Sequence, residues 1–201
     1  STRADFRVLK DSHLNIFGVG AIGSEIADCI AKAGVGNISL FDNQQLNAHN
    51  VIRHLAGVEM LGQSKVNAVA EIIQNHNHYI KVRPLELNLF CPDYNHLLWD
   101  GSLTVSSVAD DYLEGYINQQ MVISNRPIFY VRALRGGKAA RIFRVIPGID
   151  ACFYCLSLYR RDKKLFIEIP DDPVFPTLRN ECNNPIRPGS AADLKFIASF
   201  A

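Results

Sequence analysis

IFGVGAIGSEIADCIAKAGVGNISLFD, residues 16–42, has the strongest structural signal in the chain. A short apolar strand runs into Gly18, Gly20 and Gly23, an apolar-faced helix follows, and a second strand ends at Asp42. Glycines at these positions let the backbone turn sharply and let a phosphate approach it closely. An acid at this distance after the loop commonly binds a ribose hydroxyl. The stretch therefore predicts an adenine-nucleotide site, but it does not distinguish NAD from ATP.

Strands and helices alternate along the rest of the chain. This alternation predicts an α/β fold with a Rossmann-like, doubly wound, mostly parallel sheet. Residues 139–148 alternate apolar and polar side chains and predict an antiparallel addition on the C-terminal side of the sheet. The other predicted elements after Asp42 are helices over 64–77 and 113–125 and strands over 79–88, 101–111 and 126–134.

The length of 201 residues predicts one domain over residues 1–201. Both ends interrupt a sequence pattern, which suggests a piece of a longer protein. Residues 170–188 are rich in proline and asparagine and have no periodicity. We interpret them as a long irregular loop of the crossover type, which in a compact domain is usually functional or mobile.

Composition excludes several classes of partner. The net charge is +1, so no strong field favours nucleic acid. No apolar run approaches the ~20 residues that span a bilayer, and the first residues lack the apolar region of a signal peptide. Five cysteines, widely spaced except for one C-x-x-C, suit a reducing environment. We therefore predict no nucleic-acid or membrane partner and a cytoplasmic location.

The segment after Asp42 helps to distinguish an NAD site from an ATP site. Asn50, Arg53 and Lys65 are predicted near the carboxyl ends of the strands, where ligands bind in open α/β sheets. Two cations there exceed what a dinucleotide pyrophosphate needs, but they suit a triphosphate attacked at its α-phosphorus. The alternative, a pair of solvated surface cations, remains open on charge alone.

The order of these residues is a composite motif. AGVG at 33–36, Asp42, the N-x-x-R formed by Asn50 and Arg53, and Lys65 follow the glycine loop in turn. The motif resembles the ThiF-like family of ubiquitin-activating-enzyme-like adenylyltransferases, which includes bacterial enzymes that adenylate sulfur-carrier proteins. The resemblance is strong up to about residue 111 and weaker beyond it.

His54 departs from the motif, since many sulfur-carrier activators have glutamine after the arginine. The Arg53-His54 pair is similar to bacterial proteins in which the activating domain is fused to a ubiquitin-conjugating-like domain.

The resemblance implies a nucleotide-binding adenylation domain. Its activity would be ATP-dependent adenylation of the C-terminal carboxylate of a ubiquitin-like or sulfur-carrier protein, with Mg²⁺ and a homodimeric assembly. Asp42 would bind the ribose, and Asp110, or the adjacent Asp111, would hold Mg²⁺. Arg53 and Lys65 would act in catalysis. The implied phosphate-binding set is Gly18, Gly20, Gly23, Asn50, Arg53 and Lys65.

The cysteines add two further implications of the resemblance. Cys182 lies where the family often has a loop cysteine that accepts the activated acyl group as a thioester. Cys152 and Cys155 form one C-x-x-C motif. Many members have two such motifs, which together hold structural zinc. Because this chain has no second pair, we do not expect it to bind zinc. Cys29, in the first predicted helix, is expected in the core.

Two alternative functions remain open. An NAD(P)-dependent oxidoreductase would explain the glycine loop and Asp42, but it gives Arg53 and Lys65 no role. A non-catalytic, partner-binding scaffold of the same fold would need neither cation, so their presence together with Asp110 argues against it.

Overall fold

The sheet is six-stranded and mostly parallel. The computed structural model of the protein describes residues 6–91, 94–98, 103–134, 136–162, 178–179, 185–186 and 189–201. Its strands are β1 His13–Phe17, β2 Asn37–Phe41, β3 Lys81–Leu85, β4 Leu103–Ser106, β5 Ile128–Leu134 and β6 Ala139–Val145, with β7 Leu178–Arg179 and β8 Pro185–Ile186 in a separate short antiparallel pair. The strand order is β3-β2-β1-β4-β5-β6; β1 to β5 are parallel and β6 is antiparallel to β5. This confirms the predicted fold class.

Helices cover both faces of this sheet. They are α1 Phe6–Asp11, α2 Ala21–Ala33, α3 Ala48–Val51, α4 Lys65–His76, α5 Asp111–Ile123, α6 Phe153–Arg161 and α7 Ala191–Ala198, with 3₁₀ turns at Val58–Met60 and Asn95–Leu97. Within the described residues, no helix has both the length and the apolar character needed to cross a membrane.

The strands separate two apolar cores because successive side chains point to opposite faces. Ile16 belongs to the core shared with α2, α4 and α7, whereas Phe17 belongs to the core shared with α5 and α6. Phe17 packs edge-to-face against Phe41 of β2 and Tyr94, with ring centroids 4.9 and 5.4 Å apart. β1 and β2 are covered on both faces, so even their polar residues Asn15 and Ser39 are fully buried.

One local expectation was wrong. Cys29 lies on the exposed side of α2, because this helix turns Ile22 and Ile26 toward the core instead.

Candidate active site

The glycine loop connects β1 to α2 at the carboxyl edge of the sheet. Gly18 has φ +80°, a backbone conformation that favours glycine, and its N–H donates to Phe41 O at 2.9 Å. Gly20 is the N-cap of α2. A side chain at Gly23 would collide with the Gly18 carbonyl oxygen and with Ser107 Oγ. The loop therefore packs closely against α2 and against the residue that follows β4.

Asp42 organises this loop. Its Oδ2 accepts a hydrogen bond from Val19 N–H at 2.8 Å, and its Oδ1 accepts one from Gln44 N–H at 2.8 Å. The carboxylate is half-buried and joins the end of β2 to the glycine loop. Each carboxylate oxygen has a second lone-pair site, so these contacts leave capacity for a ribose hydroxyl.

A cavity of about 410 Å³ opens beside this loop, within the size range of small-molecule sites. Five predicted site residues line it: Gly18, Gly20, Asp42, Lys65 and Asp110. The structure thus brings together residues spread over more than ninety positions of the chain. The apolar lining includes Phe41, Leu87, Leu89, Phe90, Val108 and Leu113.

Lys65 is the cation of this cavity that the sequence predicted. It opens α4, and its backbone N–H donates to Gln44 O at 2.9 Å. Only 5% of the residue is exposed, and Nζ donates to Gln44 Oε1 at 2.6 Å. A buried ammonium costs free energy unless it is compensated, and the amide of Gln44 is neutral. Lys65 is therefore well placed to bind an anion.

The two adjacent acids at the start of α5 have different environments. Asp110 is the N-cap of α5, where Oδ1 accepts from Leu113 N–H at 2.9 Å, and it lines the cavity. The Asp111 side chain is 60% exposed and accepts from Arg132 Nη1 at 2.6 Å. Of the two, Asp110 is the candidate for Mg²⁺.

The donors present fit a magnesium ion that is shared with a nucleotide. Among the described residues, no group of three or more histidine, cysteine or acidic side chains could hold a metal on its own. Mg²⁺ is usually bound by one or two carboxylates together with substrate phosphates and waters. The carboxylate of Asp110, in a cavity beside the glycine loop, meets that requirement.

Asn50 and Arg53 are not among the residues that line this cavity. Asn50 is 8% exposed and ends the short helix α3 together with Val51, while Arg53 is half-exposed and donates its backbone N–H to Asn50 O at 3.0 Å. Their predicted phosphate contacts remain predictions.

Sequence reasoning missed three residues that hold the site together. Ser107 Oγ donates to Gly18 O at 2.7 Å, and Gln44 bridges Asp42 and Lys65. His54 is buried, with Nε2 2.8 Å from Val19 O. None of these three residues belongs to the glycine loop or to the set of charged residues in the motif. Only the anomaly of a histidine after Arg53 could have drawn attention to one of them.

The C-x-x-C opens α6. Cys152 is the N-cap, and its Sγ lies 3.7 Å from Cys155 Sγ. Burial raises the pKa of the Cys152 thiol, but hydrogen bonds from Cys155 and Tyr154 outweigh burial and lower the pKa below its usual value. Two thiols make half of a zinc site, so the expectation that this chain lacks zinc stays a prediction. Cys182 and most of the predicted loop 170–188 lie outside the described residues.

Comparison with known proteins resolves the family. The model of the ThiF family matches residues 2–181. The chain belongs to the ThiF family. This agrees with the composite motif of glycine loop, Asp42, Asn50-x-x-Arg53 and Lys65.

Curated relatives align over about three quarters of the chain. The molybdopterin-synthase adenylyltransferase of Escherichia coli is 26% identical over 150 residues, which cover 74% of this chain and 60% of that protein. The ubiquitin-like modifier-activating enzyme 5 of Bombyx mori is 26% identical, covering 75% and 41% respectively. The sulfur carrier protein ThiS adenylyltransferase of Bacillus subtilis is 24% identical, covering 74% and 44%. The alignments thus span 41 to 60% of the length of these relatives.

Solved structures support the fold. Escherichia coli MccB, crystallised with ATP, superposes with a TM-score of 0.71 at 22% identity, covering 96% of this chain and 54% of MccB. The ThiF-family fold therefore extends over nearly the whole chain, including its antiparallel addition.

Proposed function

We propose that this ThiF-family chain is an adenylation domain that uses ATP to activate the C-terminal carboxylate of a ubiquitin-like or sulfur-carrier protein. The observation that carries the proposal is the cavity beside the glycine loop. It combines a helix N-terminus, a buried lysine and a single N-capping carboxylate. A helix N-terminus with free N–H groups favours phosphate, and Lys65 adds the charge that a triphosphate requires.

The proposed reaction is an acyl adenylation. A carboxylate oxygen of the carrier protein attacks the α-phosphorus of ATP, the bond from that phosphorus to the bridging oxygen breaks, and pyrophosphate leaves. No general base is required, because the carboxylate is already ionised at neutral pH. The chain must therefore supply orientation and charge stabilisation, which act where negative charge develops in the transition state.

The cavity residues divide these tasks. Gly18 and Gly20 present backbone to the phosphates, and Lys65 neutralises the α- and β-phosphates. Asp42 receives the ribose, while the apolar wall at Leu87 and Leu89 suits the face of a base. Arg53 is assigned to the phosphates by its place in the motif. Mg²⁺ bound at Asp110 would add further neutralisation of the phosphate charge.

Three further features of the proposal rest on the family resemblance. Cys182 would receive the acyl group from the adenylate as a thioester, with AMP as the leaving group; a thiolate is a strong nucleophile for this step. The chain would assemble as a homodimer. It would act in the cytoplasm on a protein partner, with no nucleic acid involved.

Thermal unfolding with added nucleotide tests the nucleotide class. Mg·ATP at about 100 times its dissociation constant should stabilise the folded chain by roughly 2.7 kcal/mol, which is about 5–10 °C in a protein of this size. NADH at the same concentration should give no shift. A shift with NADH alone would overturn the proposal in favour of an oxidoreductase. No shift with either ligand would favour a partner-binding scaffold.

A further inference from the structure

His54 contacts the glycine loop at Val19, the residue that Asp42 also contacts. Its Nε2 lies 2.8 Å from the carbonyl oxygen of Val19, and its Nδ1 lies 3.0 Å from the backbone N–H of Ala56. Only 9% of the residue is exposed. The Val19 N–H is held at the same time by Asp42 Oδ2 at 2.8 Å. Both sides of this one loop residue are therefore fixed by side chains from elsewhere in the chain.

The two contacts specify one protonation state of the ring. The Ala56 N–H can only donate, so Nδ1 must carry a lone pair, and Nε2 must carry the proton that Val19 O accepts. The neutral Nε2–H tautomer satisfies both contacts. A second proton on Nδ1 would face the Ala56 N–H and break that contact.

The surroundings favour this neutral ring. Burial lowers the pKa of His54 below its usual value, and nearby Lys65 lowers the pKa further. The Val19 carbonyl and the carboxylates of Asp42 and Glu25 act in the opposite direction but do not outweigh burial. His54 is thus a fixed hydrogen-bonding group in the site rather than a second cation.

The carbonyl that His54 holds belongs to the peptide between Val19 and Gly20. A trans peptide is planar, so its C=O and N–H point in opposite directions. With Val19 O turned toward His54, the Gly20 N–H points away from His54. Gly20 lines the cavity and is the N-cap of α2, where anions bind.

We propose that His54 is a positioning residue that fixes the Val19–Gly20 peptide and so aims the Gly20 N–H at a phosphate group of the bound nucleotide. The inference deepens the proposed function and rests on it. His54 does not touch the nucleotide in this arrangement. It acts through the backbone, as a preorganised donor requires.

Two substitutions separate the two contacts. In His54→Gln, the amide nitrogen lies the same number of bonds from Cα as Nε2, so the donor to Val19 O is kept. In His54→Asn, the amide lies at the position of Nδ1, so the contact with Ala56 is kept and the one with Val19 is lost. His78→Gln, at an exposed position, is the control for the substitution itself.

Mg·ATP affinity, measured by calorimetry, should follow the Val19 contact. We expect His54→Asn to weaken binding about three- to tenfold, the equivalent of one lost hydrogen bond, and His54→Gln to stay within about twofold of the wild type. Equal affinities for the wild type, His54→Asn and His54→Gln would overturn the inference. An equal loss of affinity in His54→Asn and His54→Gln would also overturn it. If circular dichroism shows that His54→Asn does not fold, His54→Leu takes its place.

Hydrogen exchange tests the loop without nucleotide. His54→Asn should speed exchange in the peptide covering residues 17–23, whereas His54→Gln should speed it around residues 54–58. Unchanged exchange at 17–23 in His54→Asn would overturn the positioning role. If the wild type binds no Mg·ATP, the proposed function fails; this measurement still decides whether His54 fixes the loop.

Discussion

The ammonium of Lys65 lies 2.6 Å from the amide oxygen of Gln44. Only 5% of Lys65 is exposed. The neutral amide accepts one hydrogen bond from the ammonium but does not neutralise its positive charge. The carboxylates of Asp42 and Asp110 line the same cavity, and Lys65 adds a buried cation there that can bind an anionic ligand. This burial distinguishes Lys65 from a surface lysine, whose charge is solvated by water.

Lys65→Met tests that distinction. Without nucleotide, removing the buried charge should leave the free energy of unfolding unchanged or raise it by up to about 1 kcal/mol. With Mg·ATP, the variant should bind at least tenfold more weakly, because a hydrogen bond to a charged group contributes about 1.5–3 kcal/mol. Chemical denaturation and calorimetry measure the two effects. Lys81→Met, at the exposed start of β3, is the control and should change neither.

Two glycines of the loop should respond differently to the same methyl group. Gly20→Ala meets nothing within 4 Å, so its stability should stay within about 0.5 kcal/mol of the wild type. Because Gly20 lines the cavity, its Mg·ATP affinity should fall about tenfold or more. Gly23→Ala would push against Gly18 O and Ser107 Oγ and should lose about 1–3 kcal/mol of stability or not fold. The opposite pattern in the two variants would contradict the assigned geometry.

Asp110→Asn should remove the magnesium dependence of nucleotide binding. Asparagine is as good an N-cap as aspartate, so the Leu113 contact and the start of α5 should survive. ATP affinity measured with Mg²⁺ and with a chelator should become equal in this variant.

Asp111→Asn is the matched comparison for Asp110→Asn. It breaks the pair with Arg132, in which the Asp111 side chain is 60% exposed, so stability should change by less than about 1 kcal/mol and the magnesium dependence should persist. Loss of the dependence in Asp111→Asn, and not in Asp110→Asn, would reverse the assignment.

The sequence predicted the parts of the site that depend on residue type and spacing. Glycines before a helix, an acid after β2, and a lysine that opens α4 are local patterns, and parallel strands bring their ends to one edge. That combination is enough to predict one shared site, and the residues that line the cavity include Gly18, Gly20, Asp42, Lys65 and Asp110.

The missed features depend on the three-dimensional arrangement of the chain rather than on local residue type and spacing. His54 binds the carbonyl of Val19, 35 residues away, and any residue type could supply that carbonyl. The choice between Asp110 and Asp111 required the helix start, because only the N-cap position faces the cavity. The exposure of Cys29 depends on how α2 is rotated, which one mid-helix residue does not specify.

Glu114 provides a pH-dependent prediction. It is fully buried on α5, with Oε2 3.0 Å from Arg132 Nη2 and 3.9 Å from Arg141 Nη2. Burial raises the pKa of Glu114 to about 7, and the two arginines only partly offset burial. The folded pKa lies above the ordinary value of 4.5, so the folded state binds the extra proton between these values. Its contribution to stability is complete below about pH 4.5 and is lost as pH rises through 7.

Glu114→Gln isolates this contribution, because glutamine has nearly the same shape and does not titrate. From pH 4.5 to about pH 8, the wild type should lose about 1–3 kcal/mol of unfolding free energy relative to the variant. Urea denaturation across this range measures the unfolding free energy of both proteins. Subtracting one from the other removes the contribution of the other titrating groups. Glu71→Gln, at an exposed position of α4, should show a flat difference. If the wild type instead gains stability relative to Glu114→Gln as pH rises, Arg132 and Arg141 outweigh burial and Glu114 is a buried carboxylate.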